Sequence, residues 1–339
     1  MYEKAVLFCE SQKKSIAPYL NHENGTGLII PSGYIQTFRQ SSKRSFPLSE
    51  DNLLKDFYTM SADARKVGIE IVEFLLHFKC ASAEQIKELI IRKGMFPEYV
   101  APLLKRLTEL QVLNYFALAK SKLKDIPEDA FLMYCLDSGA VSILHHLSNF
   151  HQEIWFSSDV IFNSDMIARH LMIVTFYLQA LATGSGSIAY FMPWKKIRVG
   201  KKEIPFSAEF WVMKNGEKSV YLLDAVNPQD LQEIWPEKME RLAMFLQESE
   251  RWSQYYREQP KFIFLAYNEQ DARRMAESFY MRTGYNGFRV LTTANMMKGL
   301  DGPVFYSYIP VSEKNPEAVF KLKKLGIFSA INAQNPCNN

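Results

Sequence analysis

Cysteine is scarce in this chain. Four residues, Cys9, Cys80, Cys135 and Cys337, are spread over 339 positions. None belongs to a CxxC pair, which argues against a zinc site or a disulfide framework and fits a reducing, cytoplasmic setting. Long apolar runs are missing too. The richest, "HLMIVTFYLQALA", is too short to span a bilayer and reads as a buried helix. The opening "MYEKAVLFCESQKK" has no long apolar run after a basic start, so it does not read as a signal peptide. A large excess of one charge is absent as well. Lys and Arg number 40 against 37 Asp and Glu, a net charge of +3, so any nucleic-acid contact must come from local patches. Several catalytic signatures are lacking. There is no Gly-x-Ser-x-Gly elbow and no Cys/His pair at a plausible spacing. "TGSGS" (183–187) has no phosphate-loop lysine and follows a helix instead of a strand, so it reads as a helix C-cap and loop.

What is present describes an ordinary globular chain, 47% apolar and 14% aromatic, long enough for two domains. Residues 1–60 read as an arm with a hairpin at "GTGLIIPSGYIQTF", followed by "RQSSKRSFP", either a basic arm or a solvated loop. Beyond Ser61 the periodicity sharpens. "ARKVGIEIVEFLLHF" sets Val67, Ile71, Phe74, Leu75 and Phe78 on one helical face. "SAEQIKELI" opens on Ser82, with Gln85 three residues on, a capping-box pattern. "FPEYVAPLLKRLTELQVL" aligns Val100, Leu103, Leu104, Leu107 and Leu110, with Pro102 tolerable only near the helix start. "VLNYFALAKSK" and "EDAFLMYCL" read as strands, and "DSGAVSILHHLSN" as a closing helix. Its adjacent His145 and His146 point about 100° apart and cannot grip one metal in the i, i+4 manner.

Three helices followed by a two-stranded ribbon resemble a winged helix-turn-helix, whose third helix enters the major groove. On that reading, residues 61–150 form the domain. Lys105 and Arg106 lie on or near the exposed face of the recognition helix, and Lys120, Lys122 and Lys124 lie in the wing. Basic groups there suit phosphate contacts. The plainer alternative is a winged helix used for packing or dimerisation.

The next stretch, 151–310, reads as helix, three strands in hairpins, helix, strand, helix, strand, an α/β order with a mixed sheet. Asn215-Gly216 marks a tight hairpin turn. Residues 311–339 read as a tail. Over roughly 65–295 the chain resembles the replication-relaxation proteins of plasmids and integrative mobile elements. The resemblance is carried by "ARHLMIVTFYLQAL" (His170, Leu171, Val174), by "PFSAEFWVMKNGEKSVYLLDAV", by "KMERLAMFL" and by "KFIFLAYN". It implies an α+β chain: an N-terminal winged helix-turn-helix domain followed by a mixed-sheet restriction-endonuclease-like α/β domain with a degenerate PD-(D/E)XK site. It also implies a role in replication initiation, DNA relaxation or conjugative transfer, beside double-stranded DNA and a relaxase or replication protein.

An active site of that class holds Mg²⁺ between two acids on neighbouring strands, with a lysine two residues past the second. Here Ser207 stands where the first Asp belongs, and Glu209, two residues on, faces the same side of a strand. The second acid maps to Asp224, but the lysine position is Val226, which can neither donate a hydrogen bond nor activate water. Glu209 and Asp224 are therefore the candidate catalytic pair. The expected outcome is a silent site with no metal and no cofactor, Mg²⁺ entering only if the pair is active. A winged-helix regulator or scaffold is a further alternative. The densest basic patch is "PWKKIRVGKK", with Lys195, Lys196, Arg198, Lys201 and Lys202 around Trp194. It suits a phosphate backbone or, more plainly, a solvated hairpin tip.

Overall fold

Serine opens the first three helices of the structure, a computed structural model that describes residues 35–38, 49–119, 131–147, 164–183, 188–214, 217–226, 228–325 and 328. Ser49 caps α1 (Glu50–Tyr58), and Ser61 caps α2 (Ala62–Phe78), accepting from the Ala64 N–H at 3.2 Å. Ser82 caps α3 (Ala83–Arg92) through the full capping box: Gln85 N–H donates to Ser82 Oγ, and Ser82 N–H donates to Gln85 Oε1, each at 3.1 Å. Satisfying two orphan donors this way is worth about 1 kcal/mol for the serine. A short 3₁₀ turn leads into α4 (Val100–Glu109), where Pro102 occupies the first turn and displaces no helical hydrogen bond. The predicted apolar stripes of α2 and α4 are buried.

These helices accompany a four-stranded antiparallel sheet in the order β1-β3-β4-β2, from β1 (Ile35–Phe38), β2 (Cys80–Ser82), β3 (Leu113–Ala119) and β4 (Phe131–Leu136). Helix α5 (Gly139–Leu147) follows. Two cysteines that look isolated in sequence face each other here, Cys80 on β2 opposite Cys135 on β4. Both thiols are buried, and burial pushes them above the ordinary thiol range, so they sit as inert core groups. Lys120, Lys122 and Lys124 lie outside the described residues, as do the hairpin around Gly25 and the Asn215-Gly216 turn.

Among the described residues, one compact unit ends at Leu178 and the other begins at Gln179. This division falls inside α6 (Ser164–Ala182), beyond the boundary at residue 150 read from the sequence. The reason is a polar seam within the first unit. Gln85 Nε2 donates to Leu171 O (3.2 Å) and Thr175 Oγ1 (3.1 Å), and His170 Nδ1 lies 3.1 Å from Phe78 O. His170 is buried, and desolvation drives its pKa down to about 3, so the ring is neutral and Nδ1–H donates to the carbonyl.

The second unit is built on a seven-stranded mixed sheet in the order β13-β12-β11-β10-β9-β8-β5. Antiparallel β5 (Ile188–Pro193), β8 (Ala208–Lys214) and β9 (Glu217–Ala225) form one side. Strand β10 (Lys261–Ala266) runs parallel to both β9 and β11 (Phe288–Thr292). Its "FIFLA" run is buried on both faces, as a central parallel strand requires. Two antiparallel strands, β12 (Phe305–Ile309) and β13 (Val319–Lys323), close the other side, so the stretch read as a tail supplies an edge strand. Between β5 and β8 the chain makes a separate ribbon, β6 (Lys196–Val199) with β7 (Lys202–Pro205), turning at Gly200 with φ 62°.

The β9-to-β10 crossover uses α7 (Pro228–Glu233), α8 (Trp235–Gln247) and α9 (Ser249–Ser253). Sequence periodicity suggests one long helix over 236–258. It breaks instead at Glu248, whose backbone is extended (φ −103°, ψ 105°), and the break sends Tyr256 into the core. Helix α10 (Glu269–Thr283), capped by Asn268, makes the next crossover. The short α11 (Thr293–Met296) follows β11. Leu242, Phe245, Met275 and Phe279 of α8 and α10 pack with Phe262 and Phe264 over one face of the sheet. None of the described helices is long and apolar enough to cross a membrane.

Candidate functional site

The two candidate acids enter the site from paired strands. Register places Glu209 opposite Leu222 and Ala208 opposite Leu223, so Ser207, just before β8, comes opposite Asp224. Alternation then sets Ser207, Glu209 and Asp224 on one face, the face covered by α8. All three are buried.

Asp224 is met by a cation absent from the sequence expectation. Lys238 of α8 places Nζ 2.6 Å from Asp224 Oδ2 and also donates to Pro205 O. Ser207 Oγ–H donates to Asp224 Oδ1 at 3.3 Å, while the same oxygen accepts from the Ala225 N–H at 2.9 Å. Ser207, standing where a metal-binding acid would be expected, is thus a hydrogen-bonding bridge between β8 and β9. Val226 sits in the apolar core with Phe206, Trp235 and Met239. The missing lysine position is filled as core, and an ammonium arrives from the helix. Trp235, Lys238, Leu242 and Phe245 form one buried stripe at helical spacing, and that was the available signal for Lys238. A lysine on an apolar stripe needs a buried anion to receive it.

Glu209 has its own set of donors. Trp211 Nε1–H donates to Oε1 at 2.7 Å, Tyr256 OH donates to Oε2 at 2.8 Å, and Lys195 Nζ lies 3.0 Å from Oε2. Burial and the nearby Glu209 carboxylate raise the Tyr256 phenol well above its ordinary range, so it stays a donor. Lys195 gets there through a bend. Trp194 adopts φ 61°, in the left-handed region, yet its N–H still donates to Ser207 O at 2.9 Å, and Phe206 N–H donates to Lys195 O at 2.7 Å. The bend continues the pairing while turning Lys195 toward Glu209.

A metal of the Mg²⁺ class does not fit this donor set. Both oxygens of each carboxyl accept from fixed protein donors, and a hard dication requires several oxygen ligands. Among the described residues, no group of three or more His, Cys, Asp and Glu is arranged to hold a metal ion.

The expected basic contacts separate into different environments. Lys195 is spent on Glu209. Lys196 pairs with Glu203 at 3.4 Å and Lys202 with Glu237 at 3.3 Å, both in solvent. Arg198 and Lys201 stand exposed on the ribbon, whose backbone is held to α8 by Arg241 (to Glu203 O, 3.0 Å) and to the segment after α9 by Tyr255 (to Arg198 O, 2.9 Å). In the first unit Arg106 bridges Asp56 (3.0 Å) and Glu109 (3.4 Å), and Lys105 is half-buried on α4.

No protein-family profile and no curated protein sequence matches the chain. Among solved structures, restriction endonuclease FokI is similar at 16% identity and a TM-score of 0.28, over 69% of this chain and 43% of that one. FokI bound to DNA is similar at 12% identity and a TM-score of 0.24, over 71% and 45%. The chain thus spans less than half the length of these structures.

Proposed function

We propose that this chain binds DNA without cutting it, combining a winged helix-turn-helix in the first unit with a nuclease-like sheet domain whose acids have become structural. The single observation behind this reading is that every carboxyl oxygen of Glu209 and Asp224 already has a partner from the protein itself, Lys195, Trp211 and Tyr256 on one and Lys238 and Ser207 on the other. Removing a partner from such a pair leaves an uncompensated buried charge, so the arrangement resists exchange for a metal. Support for the winged helix comes from the order of α2, α3, α4, β3 and β4, with the third helix carrying Lys105 and Arg106. Phosphate contacts are assigned to Lys105 and Arg106, to Lys120 and Lys122, which lie outside the described residues, and to Lys196, Arg198 and Lys201 of the ribbon. Lys195 is withdrawn from that set by its ion pair. A role at a replication or transfer origin, beside a relaxase or replication protein, extends the reading. Its test is binding of duplex DNA across a salt series. Affinity should fall steeply with salt and should drop about tenfold or more in the double variant Arg198→Glu, Lys201→Glu. No binding at low ionic strength would remove the proposal.

A second reading, a Mg²⁺-dependent nuclease using Glu209 and Asp224, is favoured by one observation: Lys238 supplies, beside Asp224, the ammonium that Val226 lacks. It requires both carboxyls to give up their present donors.

A further inference from the structure

Glu209 has a second consequence on the surface, because the indole it holds is only half-buried. Alternation along β5, β8 and β9 puts Tyr190, Met192, Trp211, Met213, Lys218 and Val220 on one face of the sheet. This corner lies at the β5 edge. Met192 and Met213 are 39% and 43% exposed, large values for buried-type side chains. Tyr190 packs on Trp211 with ring centroids 4.3 Å apart and planes 33° from parallel. The Lys218 ammonium rests 3.0 Å above the Trp211 ring centre.

We propose that this corner is a stacking site for an unpaired nucleobase, with Trp211 and Tyr190 as the ledge and Lys218 as the contact to the adjoining phosphate. The inference rests on the nucleic-acid reading above and goes beyond it, since it assigns a single-stranded ligand to a place apart from the basic residues named there. Three features carry it. The indole is fixed in advance by its 2.7 Å bond to a buried carboxylate, so little freedom is lost when a flat ligand stacks on it. The Trp211 ring already receives a cation, the ammonium of the exposed Lys218, 3.0 Å from its centre. A base arriving there displaces the flexible, exposed Lys218 chain, and its own phosphate gives the ammonium a new partner. A duplex hides its base faces in the stack, so the ledge selects unpaired bases, and aromatic stacking accepts any of the four.

The test measures binding of a fluorescein-labelled oligothymidine 20-mer to the full chain by anisotropy at low salt, with a duplex of equal length in parallel. Trp211→Leu should lower oligothymidine affinity by about tenfold and Lys218→Gln by about threefold, while duplex affinity stays unchanged. Trp211→Phe, which keeps a ring face, should retain affinity within about threefold and guards against a folding artefact in the leucine variant. Unchanged oligothymidine binding in Trp211→Leu overturns the inference, as does equal loss in the leucine and phenylalanine variants. Wild-type protein that binds duplex but not oligothymidine overturns this inference alone. Protein that binds neither overturns the DNA-binding reading as well. A wild-type dimer in light scattering that dissociates in Trp211→Leu assigns the corner to self-association and also overturns it.

Discussion

The two units differ in the polarity they bury. In the first, the buried polar groups are neutral: Gln85, Thr108, Thr175 and a His170 held uncharged by desolvation. An exposed cation such as Arg106 pairs in solvent, with Asp56. In the second, neutral groups such as Ser207, Thr293 and Asn295 are joined by buried charges that are paired, Asp224 with Lys238 and Glu209 with the half-buried Lys195. Neutral hydrogen bonds tie elements together at modest cost, whereas a buried ion pair is tolerated only while both partners remain. The contrast bears on the proposal: an acid in the sheet marks a site in sequence, and here the carboxyl of Asp224 already has a buried lysine as its partner.

The largest expected effect breaks that pairing. Lys238→Ala should destabilise the second unit by about 3–5 kcal/mol, because Asp224 is left charged and unpartnered in the core. Removing both ends, in Lys238→Met with Asp224→Leu, should restore much of the loss. Denaturant melts of the single and double variants measure this, and additive losses would deny the coupling.

Acid should single out the first unit. His170 has a folded pKa depressed to about 3 against an ordinary value near 6.5. Its contribution is therefore complete above about pH 6.5 and falls as the pH drops toward 3, since the unfolded ring takes up the proton first. At pH 5 the loss is about 2 kcal/mol. Melts from pH 7 to 5 should show that slope, and His170→Gln, which cannot take up a proton in this range, should flatten it.

Much of this was legible beforehand and some was not. The capping box at Ser82 and Gln85 and the apolar stripes of α2 and α4 follow from local spacing, and they fold as read. Gln85 shows the limit. Its backbone-facing oxygen was predictable, but its amide nitrogen binds α6 some 86 residues away, a contact no local pattern encodes. The same holds at the site. Glu209 and Asp224 share a face because strands alternate, whereas Lys195 reaches Glu209 only through the left-handed turn at Trp194, and Tyr256 only through the helix break at Glu248. Lys238 lies within the buried stripe of α8, and no local pattern pairs its ammonium with Asp224.

Smaller effects sharpen the comparison within the first unit. Ser82→Ala should cost about 1 kcal/mol by removing the cap. Asp56→Asn, which breaks an exposed pair with Arg106, should change stability by less than about 1 kcal/mol. Chemical melts separate the two, and an equal cost would mean the exposed pair is stronger than its solvent screening allows.

The central claim is that the protein holds DNA and leaves it intact. Supercoiled plasmid incubated with the protein and Mg²⁺ or Mn²⁺ at low salt tests both halves on one gel. The account predicts retarded plasmid that returns to fully supercoiled form once the protein is removed. Nicked or linear product that vanishes in Asp224→Asn would contradict it and make the Glu209 and Asp224 pair catalytic.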